Sequence, residues 1–122
     1  MSDRESLAEP LGTLRLALRQ FAAERDWDQF HSPKNLAMAL TVEAAELLEH
    51  FQWLRDGSPA ELTQEAKAQV REELADVFLY LVRLADKLGV DLMQAAKDKL
   101  DVNARKYPVE QVRGSSKKYT EY

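Results

Sequence analysis

"VEAAELLEHFQWLRDG", Val42 to Gly57, decides how the chain is to be read. Ala, Glu, Leu and Gln are strong helix formers and glycine is the residue on which helices stop, so the stretch predicts an α-helix that ends before Gly57. Carried back to Leu36 at 100° per residue, this helix gathers Leu36, Leu40, Leu47, Phe51 and Leu54 within about 60° of one another, which is a core stripe. Glu43 stands inside that stripe. Glu46 follows at i+3, roughly 60° further round, so two carboxylates share one side of the helix. Two like charges about 4 Å apart repel by roughly 1 kcal/mol in water and about 4 kcal/mol at an effective dielectric near 20, before desolvation. An acid in a leucine stripe therefore needs a partner.

The four glycines and four prolines fall between segments of helical periodicity and nowhere break strand-like alternation, so the fold class is all-α. A first helix is predicted from Thr13 to Arg25. The second takes Ser32 as N-cap and Pro33 as its first residue. After a break at "DGSPAEL", a third runs from about Thr63 to Leu88 and is closed by Gly89. Asp91 caps a fourth, which lasts to Pro108. No repeat or low-complexity segment suggests a second domain, so residues 1–122 are expected to form one domain with a core over about 11–107 and mobile polar tails at 1–10 and 108–122.

At 122 residues with 45% hydrophobic side chains, the chain suffices for one core. Its 17 basic and 21 acidic residues leave a net charge of −4, without the basic excess that long nucleic acids or anionic membranes select. The absence of cysteine excludes disulfides, thiolate metal sites and cysteine nucleophiles. "MSDRESLAEP" has no signal-peptide character and no apolar run is long enough to span a bilayer, so a soluble, cytoplasmic protein is expected.

The third helix repeats the pattern of the second. Val70, Leu74, Val77, Leu81, Leu84 and Leu88 form a stripe, with Glu73, Asp76 and Tyr80 along its margin and Glu72 pointing away. Antiparallel pairing of the two helices would bring Glu43, Glu46, Glu73 and Asp76 into one acidic cluster. Four oxygen donors without histidine suit Mg²⁺ or Mn²⁺ and not the di-iron carboxylate bundles, which require an E-x-x-H pattern. The plainer reading, ordinary helix-face acids paired with lysine or arginine, accounts for one E-x-x-E more easily than for two on consecutive helices. On the fourth helix Lys99, Asn103 and Lys106 share a cationic, hydrogen-bonding face that phosphate would fit, or that simply complements the helix dipole. Trp27 and Phe30 precede the second helix and Trp53 ends it; two tryptophans beside an acidic cluster suggest a slot for a nucleobase, with His31, Lys34 and Asn35 as polar neighbours.

With these residues in view, "FAAERDWDQFHSPKNLAMALTVEAAELLEHFQW", "EELADVFLYLVRLA", "KLDVNARKYPVE" and "RGSSKKYT" resemble the MazG-like all-α nucleoside triphosphate pyrophosphatases, and most closely their dCTP pyrophosphatase branch. The resemblance covers about Leu14 to Thr120. It implies a four-helix bundle assembled as an oligomer, usually a tetramer built as a dimer of dimers, and Mg²⁺ held by Glu43, Glu46, Glu73 and Asp76. It further implies that Trp27 and Trp53 flank the base, that Tyr80 approaches the sugar, and that Lys99, Asn103 and Lys106 hold phosphates. Lys106 stands where a close relative carries arginine, and Leu18 where it carries histidine. The implied reaction is attack of water on the α-phosphorus of dCTP or a modified dCTP, giving dCMP and pyrophosphate, with Glu46 or Glu43 as the carboxylate that takes the proton. A different class, a non-catalytic nucleotide-sensing or interaction module with the same helices, would be expected to have lost one of the four acids.

Overall fold

The computed structural model describes residues 9–116 and Thr120. Most of the expected N-terminal tail, and Lys117 to Tyr119, Glu121 and Tyr122 of the expected C-terminal one, lie outside them. Helices account for all regular structure among the described residues: α1 (Pro10–Glu24), α2 (Pro33–Glu49), α3 (Gln64–Lys87), α4 (Leu92–Lys106) and the single turn α5 (Val109–Val112). Short 3₁₀ turns at Asp28–Phe30 and Pro59–Glu61 precede α2 and α3. The all-α expectation holds, and the four long helices are the four expected.

Local chemistry explains the helix starts. Ser32 Oγ accepts from the Asn35 N–H at 3.2 Å, Thr63 Oγ1 from Ala66 at 3.0 Å and Asp91 Oδ1 from Gln94 at 3.0 Å. Each satisfies an amide that the first helical turn leaves without a carbonyl. The expected end of the second helix needs correction: α2 stops at Glu49 and not just before Gly57. From His50 on, most backbone bonds are of the tighter i→i−3 kind, such as Phe51 N–H to Leu48 O at 2.9 Å and Leu54 N–H to Phe51 O at 2.9 Å, with Gln52 N–H still reaching Leu48 O at 3.0 Å. Gly57 then takes φ 71°, and a Cβ there would lie 2.7 Å from Phe51 Cδ1, so the turn requires glycine on both counts. The Glu61 carboxylate closes this loop by accepting from the Arg55 and Asp56 N–H groups at 2.9 and 3.0 Å. Those amides also hold its acid below the usual carboxylate range. At the C-terminal side, α5 occupies part of what the sequence suggested was a mobile tail.

The chain divides into two compact units, Met1–Gly89 and Val90–Tyr122. In the first, α2 and α3 run antiparallel: His31 meets Arg83 at one end of the pair and His50 approaches Glu73 at the other. α1 is bound to α3 by Arg19, whose Nε and Nη2 donate to both oxygens of Asp86 at 2.7 and 2.6 Å. Among the described residues the buried apolar ones are few, Ala22, Leu36, Val82 and Ala85. Leu36 is the largest of them, at 1% exposure, as its place on the α2 stripe requires. The α3 stripe is divided: Val77, Leu81 and Leu84 are half-buried, whereas Leu74 is 52% exposed and Leu88 is exposed too. In the second unit α4 carries Lys99 exposed and Asn103 and Lys106 half-buried.

Candidate active site

Antiparallel packing brings the third and fourth turns of α2 against the middle of α3, and this converts two sequence patterns into one cluster. Glu43, Glu73 and Asp76 each offer a carboxylate oxygen, and these oxygens all lie within 4.8 Å of one another. Glu46 adjoins Glu43 but is not one of this group. Burial, followed by the carboxylates of Glu46, Glu73 and Asp76, pushes the Glu43 acid up to about 7, because each makes a further negative charge costlier. One oxygen of Glu43 and one of Glu73, Oε2 in both, are buried without a hydrogen-bond partner. Such orphans cost roughly 1–3 kcal/mol each and call for something to satisfy them. His50 Nε2, 4.0 Å from Glu73 Oε1, is too far to donate to it. A hard cation suits an all-oxygen set of this kind, so these residues could hold a metal ion.

Beside the acids opens a cavity of about 390 Å³. That volume is in the range of small-molecule sites. Its apolar wall comes from α1 and α3, through Leu18, Phe21, Ala22 and Leu79. Its polar groups are Glu43, Asp76, Tyr80, His31 and Arg83, with the Trp27 ring completing the lining. Trp27 is braced by Phe21, ring centroids 5.7 Å apart and planes at 69°, and Arg25 covers Phe21 with its guanidinium 3.6 Å from the ring centre. These contacts hold an aromatic surface in the lining of the cavity.

Of the residues singled out in the sequence, Glu43, Asp76, Trp27, His31 and Tyr80 thus line one cavity, with Glu73 joined to it through the acidic group. Trp53 does not line it; its side chain stands 88% exposed after α2. Asn35 and Lys34 do not line it either, and the Asn35 amide is spent on the Phe30 carbonyl at 3.0 Å, bracing the loop before α2. Lys99, Asn103 and Lys106 belong to the second unit. Arg83 was missed altogether. It is 6% exposed, donates to His31 and Asp28, and shares Asp28 with Lys87. The signal was available, since Arg83 stands seven residues after Asp76 and so within about 20° of it around the helix. It was hidden because an arginine between Val82 and Leu84 reads as a solvent-facing charge.

Among the described residues no helix is long and apolar enough to cross a membrane. The MazG-like family model matches residues 38–122. The chain is 49% identical to dCTP pyrophosphatase 1 of Homo sapiens over 113 residues, 91% of this chain and 66% of that protein. It is 48% identical to dCTP pyrophosphatase 1 of Bos taurus over 117 residues, 93% of this chain and 69% of that one. It therefore spans about two thirds of the length of these relatives. Among solved structures, a pyrophosphatase from Archaeoglobus fulgidus DSM 4304 is similar with a TM-score of 0.70 and 44% identity, covering 75% of this chain and 86% of that one. With carboxylates from both acidic pairs joined in space and its family match running from within α2 through the C-terminal residues, the chain belongs to the MazG-like family.

Proposed function

We propose that the protein is a metal-dependent nucleoside triphosphate pyrophosphatase that converts dCTP, and modified dCTP, with water into dCMP and pyrophosphate as a house-cleaning activity on the nucleotide pool. One observation carries this most directly: three carboxylates with two orphaned buried oxygens adjoin a nucleoside-sized cavity with an aromatic ring in its lining. The substrate is the one named for the relatives that share about half of its residues.

In this reading Glu43, Glu73 and Asp76, with Glu46 beside them, hold Mg²⁺, for which Mn²⁺ can substitute. When bound, that ion supplies charge neutralisation at the phosphate oxygens. The protein's own groups do the rest. Trp27 offers a face to the base, the wall of Leu18, Phe21 and Leu79 excludes water around it, and Tyr80 packs toward the sugar. Glu46 accepts the proton of the attacking water, because its carboxylate is the one outside the three-oxygen group. The water oxygen bonds to the α-phosphorus, the bond from that phosphorus to the bridging oxygen breaks, and its electron pair leaves with pyrophosphate. The resemblance assigns the phosphates to Lys99, Asn103 and Lys106 on α4 and the second face of the base to Trp53. The family match includes residues of both units.

The protein acts in the cytoplasm as a homo-oligomer, a tetramer arranged as a dimer of dimers. Exposed Leu48, Trp53, Leu74 and Phe78 beside so small a buried core support subunit burial of α2 and α3. The reading is tested by incubating the protein with dCTP, dTTP, dUTP, dATP and CTP and Mg²⁺ and resolving the products. Pyrophosphate with dCMP, fastest from dCTP, is expected; orthophosphate with a diphosphate, or no turnover, refutes it.

A further inference from the structure

Arg83 has an unusual task for an arginine in a helix interior. Its Nε donates to His31 Nδ1 at 3.3 Å, its Nη2 donates to Asp28 Oδ1, and its Nη1 lies 3.7 Å from Asp86 Oδ2. Lys87 shares Asp28, and Arg19 grips Asp86 from α1. The guanidinium is thus held on three sides and almost wholly buried, so the direction of its Nε–H is set by the fold.

An arginine can only donate, and at ordinary pH it never gives up its proton. The nitrogen that accepts from it must therefore carry a lone pair. His31 is then a neutral imidazole with its proton on Nε2, and no other protonation pattern satisfies the contact. Burial, and after it the positive charges of Arg83 and Lys87, also hold the imidazole below the usual histidine range, with Asp28 opposing them. His31 lines the cavity, and among the described residues its Nε2 has no protein partner. What remains for a ligand there is one hydrogen-bond donor of fixed sign.

We infer that Arg83 is a positioning residue that locks His31 as an Nε2–H donor, and that this donor reads the N3 acceptor of a cytosine ring. The inference rests on the proposed substrate and deepens it. Cytosine and uracil have the same size and the same stacking surface, so Trp27 and the apolar wall cannot separate them. They differ at N3, a lone pair in cytosine and an N–H in uracil and thymine. A fixed donor facing an N–H leaves two donors opposed and unpaired, which a site built to bond a substrate group penalises strongly. A freely tautomerising histidine would not discriminate, because it could present Nε2 as an acceptor instead. Leu18, across the cavity, offers no competing polar group.

Two measurements on the full chain with Mg²⁺ test this. Long-range ¹H–¹⁵N spectra of the imidazoles, with His50→Gln to assign the two histidines, report which nitrogen carries the proton. His31 is expected to show Nε2–H alone in the parent and a mixture in Arg83→Met, whose side chain fills the space but has no N–H to donate to Nδ1. The ratio of kcat/KM for dCTP over dUTP is expected to fall by roughly ten-fold in His31→Leu, mainly through the KM for dCTP. It should be better kept in His31→Gln, whose amide can place a donor near the Nε2 position, than in His31→Asn. A tautomeric mixture at His31 in the parent, or an unchanged dCTP/dUTP ratio in His31→Leu, overturns the inference. A parent that turns over only purine nucleotides refutes the proposed substrate and the cytosine reading with it, while the spectra still decide whether Arg83 sets the tautomer.

Discussion

Replacing Glu43 by glutamine should make the metal-free protein more stable at alkaline pH and less responsive to metal. The Glu43 acid is raised from 4.5 to about 7 by burial and by the carboxylates of Glu46, Glu73 and Asp76. A carboxyl whose folded pKa is raised binds its proton more tightly in the fold than in the unfolded chain. The resulting stability is complete below about pH 4.5 and is lost as pH climbs to about 7. At about 1.4 kcal/mol per pH unit the shift sets a ceiling near 3.5 kcal/mol, and because water reaches part of the side chain we expect about 1–2 kcal/mol. Glu43→Gln keeps the shape without the charge. Thermal melts in chelator should therefore place the variant about 4–8 °C above the parent at pH 8 and level with it at pH 4. Millimolar Mg²⁺ should reverse the order at pH 8 by stabilising the parent through mass action and the variant far less. Equal melting at pH 8 without metal, or equal stabilisation of both by Mg²⁺, would refute the reasoning.

Three further outcomes follow from particular contacts. Asp76→Asn should abolish measurable turnover at limiting Mg²⁺ while leaving the far-ultraviolet circular dichroism of the parent, since the side chain serves the acidic group and not the core. Asp86→Asn should destabilise by about 2–3 kcal/mol at pH 7, because Arg19 and the buried Arg83 lose their shared carboxylate. Arg19 foremost holds that acid below 3.8, so the stability it contributes is present above that value and lost as pH falls further; urea titrations should find the deficit shrinking below about pH 4. Gly57→Ala should cost about 1–3 kcal/mol, from a left-handed φ of 71° and a Cβ driven into the Phe51 ring, with Phe51→Ala removing the steric part in a double-mutant cycle.

Side chains that cap helices act on backbone a few residues away, and for that reason Ser32, Thr63 and Asp91 marked the helix starts correctly from sequence. The end of α2 was less legible. Phe51 and Leu54 continue a spacing of three to four residues, and a chain winding with i→i−3 bonds keeps that spacing as well as an α-helix does. The acidic cluster was legible because two E-x-x-E/D pairs on consecutive helices that pack antiparallel have one economical way to meet. The loop before α2 was not. Its composition offered His31, Lys34 and Asn35 on equal terms, and only the folded chain separates them, spending Asn35 on the Phe30 carbonyl and turning His31 to the cavity. Arg83 was invisible for a related reason, since its burial depends on Asp28 and Asp86 arriving from other segments.

Hydrolysis of dCTP in ¹⁸O-labelled water, with mass analysis of both products, tests the central claim most directly. Attack at the α-phosphorus, directed by the acids of α2 and α3, places the label in dCMP and leaves pyrophosphate unlabelled. Label in pyrophosphate, or release of dCDP with orthophosphate, would contradict the account.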